Sequence, residues 1–226
     1  MKAKLSIPKQ EGELEISDKE AQNFLNLLVP DFVKQLGGIL GDQVRYWRFK
    51  NACNIANKAK KLIDDSGLKV EKVPLKILSP LLESASLEED EFLRDKWAKM
   101  LANATTSKIS IKPVYVEILK ELSPLEVKIL DVIFNEISKI ADYKQRKMVQ
   151  FGKQKVQQAF GLSEEEIDLI IENLYRLNLL QAPQGHGMTL GTELGSSYGF
   201  VLRTTDIFEF TTLGFNFVLA CKFGEE

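Results

Sequence analysis

Cysteine, histidine and net charge are all scarce in this 226-residue chain. Its two cysteines, Cys53 and Cys221, stand far apart, with no CxxC or CxH spacing, which argues against a disulfide framework and against a zinc site. That usage fits a reducing compartment and points to the cytoplasm. The single histidine, His186, lies in Gly185-His186-Gly187, where the glycines mark a loop tip. A general base needs a positioned partner, and no spacing supplies one. Phosphate-loop patterns are missing as well: neither GxxxxGK[ST] nor GxGxxG after a strand occurs. With no nucleophile, base, metal set or cofactor motif, the sequence reads as that of a non-enzyme that needs no cofactor.

An excess of charge of one sign is also missing, since 30 Lys and Arg face 32 Asp and Glu for a net of -2. No global field draws the chain to nucleic acid or acidic lipid, so any such contact would be local. Long apolar runs are absent too. The most apolar early stretch, Phe24 to Leu40, is broken by Pro30, Asp31, Lys34 and Gln35, too soon to span a bilayer. Its polar residues do not form the basic face of a surface-lying helix, which argues against a membrane partner. Met1 to Lys9 lacks the charged start, apolar core and cleavage site of a secretory signal.

What is present is an ordinary globular composition, 44% apolar and 27% charged, enough for one large core or two small ones. The pattern predicts a mainly α protein: a helical bundle over 1–112, then a winged helix-turn-helix-like α+β domain over 113–226. Residues 1–15 read as irregular or a short strand. Ser17 then caps a helix bearing Ala21, Phe24, Leu25 and Leu28, which Gly37 and Gly38 loosen or end. Asp42 restarts one whose apolar face is Val44, Trp47, Ala52, Ile55, Ala59, Leu62 and Ile63, with Gly67 as its stop. Pro74 opens a segment with Leu75, Leu78, Leu81 and Leu82 inward, which Pro80 should kink or divide. Ser86 and Glu89 match a capping box ahead of Phe92, Leu93, Trp97, Met100 and Leu101. Such stripes need one another for burial, which predicts a bundle.

In the second half, Pro113 to Leu122 reads as a connecting helix. Ser123, Pro124 and Glu126 then start a helix with Leu125, Ile129, Val132, Ile133 and Ile137 inward, ending near Ile140. After a polar, basic loop, Lys153 to Phe160 forms a short helix closed by Gly161. Ser163 caps the next, with Glu166 as its partner and Ile167, Ile170, Ile171, Leu174 and Leu177 as its stripe. Leu179 to Ala182, Tyr198 to Leu202 and Ile207 to Phe210 are β-type, around a glycine-rich tip at 185–195. Thr211 or Thr212 caps a final helix to Cys221, with Phe215, Phe217 and Val218 for burial. Helix, short helix, capped helix and hairpin in that order is the winged helix-turn-helix pattern.

Two basic groups are candidate phosphate or nucleic-acid contacts. One is the run Arg45-Tyr46-Trp47-Arg48-Phe49-Lys50, whose cations beside rings suit stacking and charge neutralisation. Helix geometry splits it, however, sending Trp47 to the core and Tyr46, Lys50, Asn54, Asn57 and Lys61 to water. Arg45, Arg48 and Lys50 are therefore either ligand contacts or solvated flanks of a core tryptophan. The second group is Lys144, Arg146, Lys147, Lys153 and Lys155, either a backbone-contacting cluster or a solvated loop. Against DNA stands the helix that would read a groove. From Ser163 to Leu180 it carries Glu164, Glu165, Glu166, Asp168 and Glu172 against Arg176 alone, and phosphates would be repelled. Residues 113–226 hold 11 bases and 16 acids. The expected partner is therefore protein, another chain or a second copy, rather than nucleic acid.

The blocks LGDQVRYWRFKN (40–51), VPLKILSPLLESASLEEDEFLRDKWAKMLANA (73–104) and PVYVEILKELSPLEVKIL (113–130) resemble the bacterial abortive infection alpha (Abi-alpha) family. The resemblance implies a role in defence against phage, in which infected cells halt or die, and implies no catalytic residues. The expected function is a non-enzymatic abortive-infection protein acting through protein contacts. The alternatives are a winged-helix transcriptional regulator contacting DNA through Lys144 to Lys155, and membrane disruption by Phe24 to Leu40.

Overall fold

The computed structural model describes residues 10–29, 42–146, 148–183 and 206–224. Most of them are helical: α1 (Gln10–Leu28), α2 (Asp42–Ser66), α3 (Leu75–Ala85), α4 (Glu91–Thr106), α5 (Pro113–Glu121), α6 (Pro124–Ile137), α7 (Tyr143–Arg146), α8 (Lys153–Phe160), α9 (Glu164–Arg176) and α10 (Thr212–Ala220). Three short strands complete the set, β1 (Gln150–Gly152), β2 (Leu180–Gln181) and β3 (Ile207–Phe210). The chain packs as two units, one from residues 1–124 with 219–226 and the other from 125–218. Helix α5 lies against α3, within the first unit.

In the first unit α2 packs between α1 and α4, while α3 packs on α2, α4 and α5. Helix α4 is buried almost all round, through Leu93, Trp97, Ala98, Met100, Leu101 and Ala102. A helix apolar on more than one face must be covered on more than one face, and α2 and α3 do this with Ala52, Ile55, Ala59, Leu78, Leu81 and Leu82. Asn103 is a polar member of that core. Wholly buried, it donates through Nδ2 to the carbonyls of Ala220 (3.0 Å) and Lys222 (2.6 Å), satisfying backbone acceptors of the returning 219–226 segment.

Several sequence expectations for this unit need correction. Helix α1 begins at Gln10, so Ser17 lies inside it and residues 10–15 are helical rather than irregular. Val44 and Leu75 are exposed, each in the first turn of its helix. Pro80 is accommodated within a continuous α3. Ser86 does not cap α4. It closes α3, with its N–H on the Leu82 carbonyl, and Asp90 caps α4 by accepting from the Leu93 N–H at 3.0 Å. Gly67 has φ +66°, the left-handed conformation that a helix stop uses. Gly37 and Gly38 lie outside the described residues.

The second unit holds an antiparallel sheet ordered β1-β3-β2. Phe151 opposes Phe208, with ring centroids 6.0 Å apart, and Leu180 opposes Phe210. Strand β1 lies in what reads from sequence as a polar loop. Helix α8 follows it directly and packs on α9, which in turn reaches β2. Ser163 caps α9 in a complete capping box: its hydroxyl accepts from the Glu166 N–H, and the Glu166 carboxylate accepts from the Ser163 N–H at 2.8 Å. Gly161 ends α8 with φ +66°. Helix α6 stops at Ile137, and Val132 faces solvent while Ile129, Ile133 and Ile137 are buried. Thr211 starts α10 by accepting from the Gly214 N–H at 2.8 Å. Gly214 itself touches the Leu179 backbone so closely that an added Cβ would stand 2.1 Å from its carbonyl oxygen. The expected tip at 185–195, the strand at 198–202 and His186 lie outside the described residues.

Candidate functional site

In the second unit, the basic residues that the sequence groups between 144 and 155 do not share one surface role. Lys144 is exposed, and its backbone N–H is held by Asp142. Arg146 is tied down: its guanidinium donates to the carbonyls of Ile140 and Ala141 and lies over the Phe215 ring, 5.0 Å from its centroid. Lys155 reaches Glu136 at 3.4 Å. Lys153 is 6% exposed, with Nζ at 2.5 Å from Asp168 and 3.9 Å from Glu164. Lys147 lies outside the described residues.

The Lys153 pairing gives part of the acidic helix a structural task. Lys153 opens α8, where the positive end of the helix dipole disfavours a cation, and burial strips its water. The carboxylates of Asp168 and Glu164 offset both penalties. The remaining acids of α9 are turned outward. Glu166 is engaged in the capping box, and the hydrogen bonds from the backbone and hydroxyl of Ser163 hold its carboxyl below the usual carboxylate range. Glu165 and Glu172 are exposed and have no ion-pair partner among the described residues. Between them at helical spacing sits Leu169, 61% exposed. The outer face of α9 is therefore an acidic stripe with an apolar centre. Farther along, Arg176 is anchored by its Nε and Nη2 on Asn173 Oδ1, and Asn173 donates in turn to the buried Glu126 at 2.6 Å.

In the first unit the aromatic-basic run lies on α2 and divides by face. Tyr46 and Lys50 are exposed with Asn54 and Lys61, and Trp47 is half-buried. Arg48 turns inward, its Nε donating to Ser86 Oγ at 3.1 Å. The side chain of Arg45 is not among those described. Beside Arg48 lies an arginine that the sequence reading did not single out. Arg94 of α4 donates through Nη1 to Asn51 Oδ1 at 3.2 Å, and Asn51 Nδ2 donates to the carbonyls of Ser86 and Glu88. Nothing local in the sequence signals this convergence, since Arg48 and Arg94 belong to different helices.

Among the described residues no cluster of three His, Cys, Asp or Glu is placed to hold a metal ion, and no helix is long and apolar enough to cross a membrane. Cys53 and Cys221 are buried free thiols. No curated protein and no solved structure matches the chain. A family model described as abortive infection alpha matches residues 50–221, a span that begins just after Arg48 and takes in Arg94 and the acidic helix. By that match over most of its length, the chain belongs to the abortive infection alpha family.

Proposed function

We propose that the protein serves in abortive infection as a cytoplasmic, non-enzymatic factor, and that residues 125–218 form a winged helix-turn-helix used to bind protein rather than DNA. Family membership supports the defence role. The winged assignment draws support from the order α6, β1, α8, α9, β2, β3 and from a sheet in which β3 lies between β1 and β2.

The observation that carries the choice of partner is the outer face of α9, where Glu165 and Glu172 flank an exposed Leu169. A helix that reads DNA must approach phosphates, and carboxylates at that place repel them. The same face complements a protein surface that is basic around an apolar socket, because unpaired acids steer the encounter and a desolvated leucine supplies the anchor.

Phage challenge of bacteria expressing the chain tests this reading. Glu165→Lys with Glu172→Lys should abolish protection while the purified variant stays folded. The wild-type protein should show no duplex binding at low salt. Protection that survives the double reversal, or duplex binding that is lost on mutating Lys144 and Lys155, would overturn the proposal.

A further inference from the structure

We propose that Arg48 and Arg94 form a binding site for the phosphate group of a small ligand, inorganic phosphate or a phosphomonoester, in the first unit. The site is independent of the acidic face in residues 125–218.

The two guanidinium groups are held by one shared neutral scaffold. Arg48 Nε donates to Ser86 Oγ, Arg94 Nη1 donates to Asn51 Oδ1, and Asn51 bonds the Ser86 carbonyl, so that Ser86 and Asn51 link the two cations. Both scaffold residues are buried, and their donors are used up. Ser86 Oγ donates to the Glu83 carbonyl at 2.7 Å, and the Asn51 amide is spent on Ser86 and Glu88. Ser86 and Asn51 thus orient the arginines without competing for a ligand.

Of the acids nearby, all but the exposed Glu89 are engaged elsewhere. Glu88 accepts from the Asp90 N–H through Oε1 and from Trp97 Nε1 through Oε2. Asp90 caps α4. Asp95 and Glu91 reach Lys58, at 2.5 and 3.7 Å. Neither arginine has a carboxylate within ion-pairing distance among the described residues. Arg94 Nε is buried without any hydrogen-bond partner.

Two cations anchored on linked residues without a carboxylate partner, one of them with a buried orphan donor, are costly unless an anion joins them. Both side chains are half-buried, so solvent reaches them while water cannot fully screen them. Guanidinium forks match phosphate oxygens bidentately, and Arg48 retains its terminal nitrogens for that purpose.

Calorimetric titration of the full chain with inorganic phosphate and with adenosine monophosphate, at ionic strength fixed with chloride, tests the site. Saturable one-to-one binding should weaken at least tenfold in Arg48→Ala and in Arg94→Ala. Arg48→Lys, which keeps the charge and the fold but loses the fork, should fall between these variants and the wild type. Equal affinity for both ligands identifies the phosphate alone as the determinant. Tighter binding of the monophosphate identifies a nucleotide-like ester, and supports the site as well. No saturable binding above the chloride baseline, affinity unchanged in folded Arg48→Lys and Arg94→Ala, or binding only of single-stranded oligonucleotides would overturn the proposal.

Discussion

Replacing Asp168 by asparagine removes the charge nearest Lys153 while keeping the side-chain shape. Removing one partner of a fully buried ion pair costs about 3–5 kcal/mol, because the other charge is left uncompensated. Here Lys153 is nearly enclosed but the Asp168 side chain is 33% exposed, and Glu164 stands 3.9 Å from the same ammonium as a second carboxylate. Water and Glu164 should together reduce the loss to about 2 kcal/mol. For a chain of this size that lowers the thermal midpoint by roughly 4–8 °C. Lys153→Met should behave differently, since it keeps the buried stem and discards the ammonium that needs support; its cost should stay below about 1 kcal/mol. The double variant Lys153→Met, Asp168→Asn should be more stable than Asp168→Asn alone. Thermal unfolding of the four proteins of this cycle by circular dichroism gives the coupling directly. A methionine variant weaker than the asparagine variant would refute the argument that α9 carries acids partly to hold a buried lysine.

The capping box predicts a pH effect of definite sign. Since the folded-state pKa of Glu166 lies below its ordinary value, its contribution is complete above the usual carboxylate range and fades as pH falls through the lowered value. Ser163→Ala should lose about 1 kcal/mol at neutral pH, and the gap from wild type should narrow on acid titration below the ordinary carboxylate pKa, as followed by denaturant melts. Gly214→Ala forces a methyl group to within 2.1 Å of the Leu179 carbonyl and 2.8 Å of the Phe210 ring. Overpacking against backbone that cannot yield should cost about 3 kcal/mol, whereas Gly152→Ala, with open space at its Cβ, should leave the denaturation midpoint within experimental error of wild type.

Features set by short-range chemistry were the ones legible in the sequence. Ser163 and Glu166 stand three apart and bond each other, so the box that the residues spell is the box that forms. Ser86 and Glu89 spell the same pattern, yet Asp90 sits closer to the start of the α4 stripe and takes the cap, leaving Ser86 to end α3. Strand β1 was not legible, because its residues are defined by pairing with Glu209, Phe208 and Ile207 much later in the chain. The burial of Lys153 depends likewise on α9 closing over α8. Arg48 was visible as a basic residue in an aromatic run, but its neighbour Arg94 becomes one only when α2 and α4 pack. Charge could be counted along the chain; which charges cancel required the fold.

The hydrogen bonds from Asn103 to Ala220 and Lys222 span 117 and 119 positions. A unit closed by so distant a segment is split by everything between, so residues 125–218 are an insertion within it. During synthesis the early helices must wait for that insertion to emerge before their last hydrophobic contacts can form, and the wait leaves apolar surface open to chaperones or proteases. A chain interrupted after the insertion would keep its second half and forfeit the completion of its first.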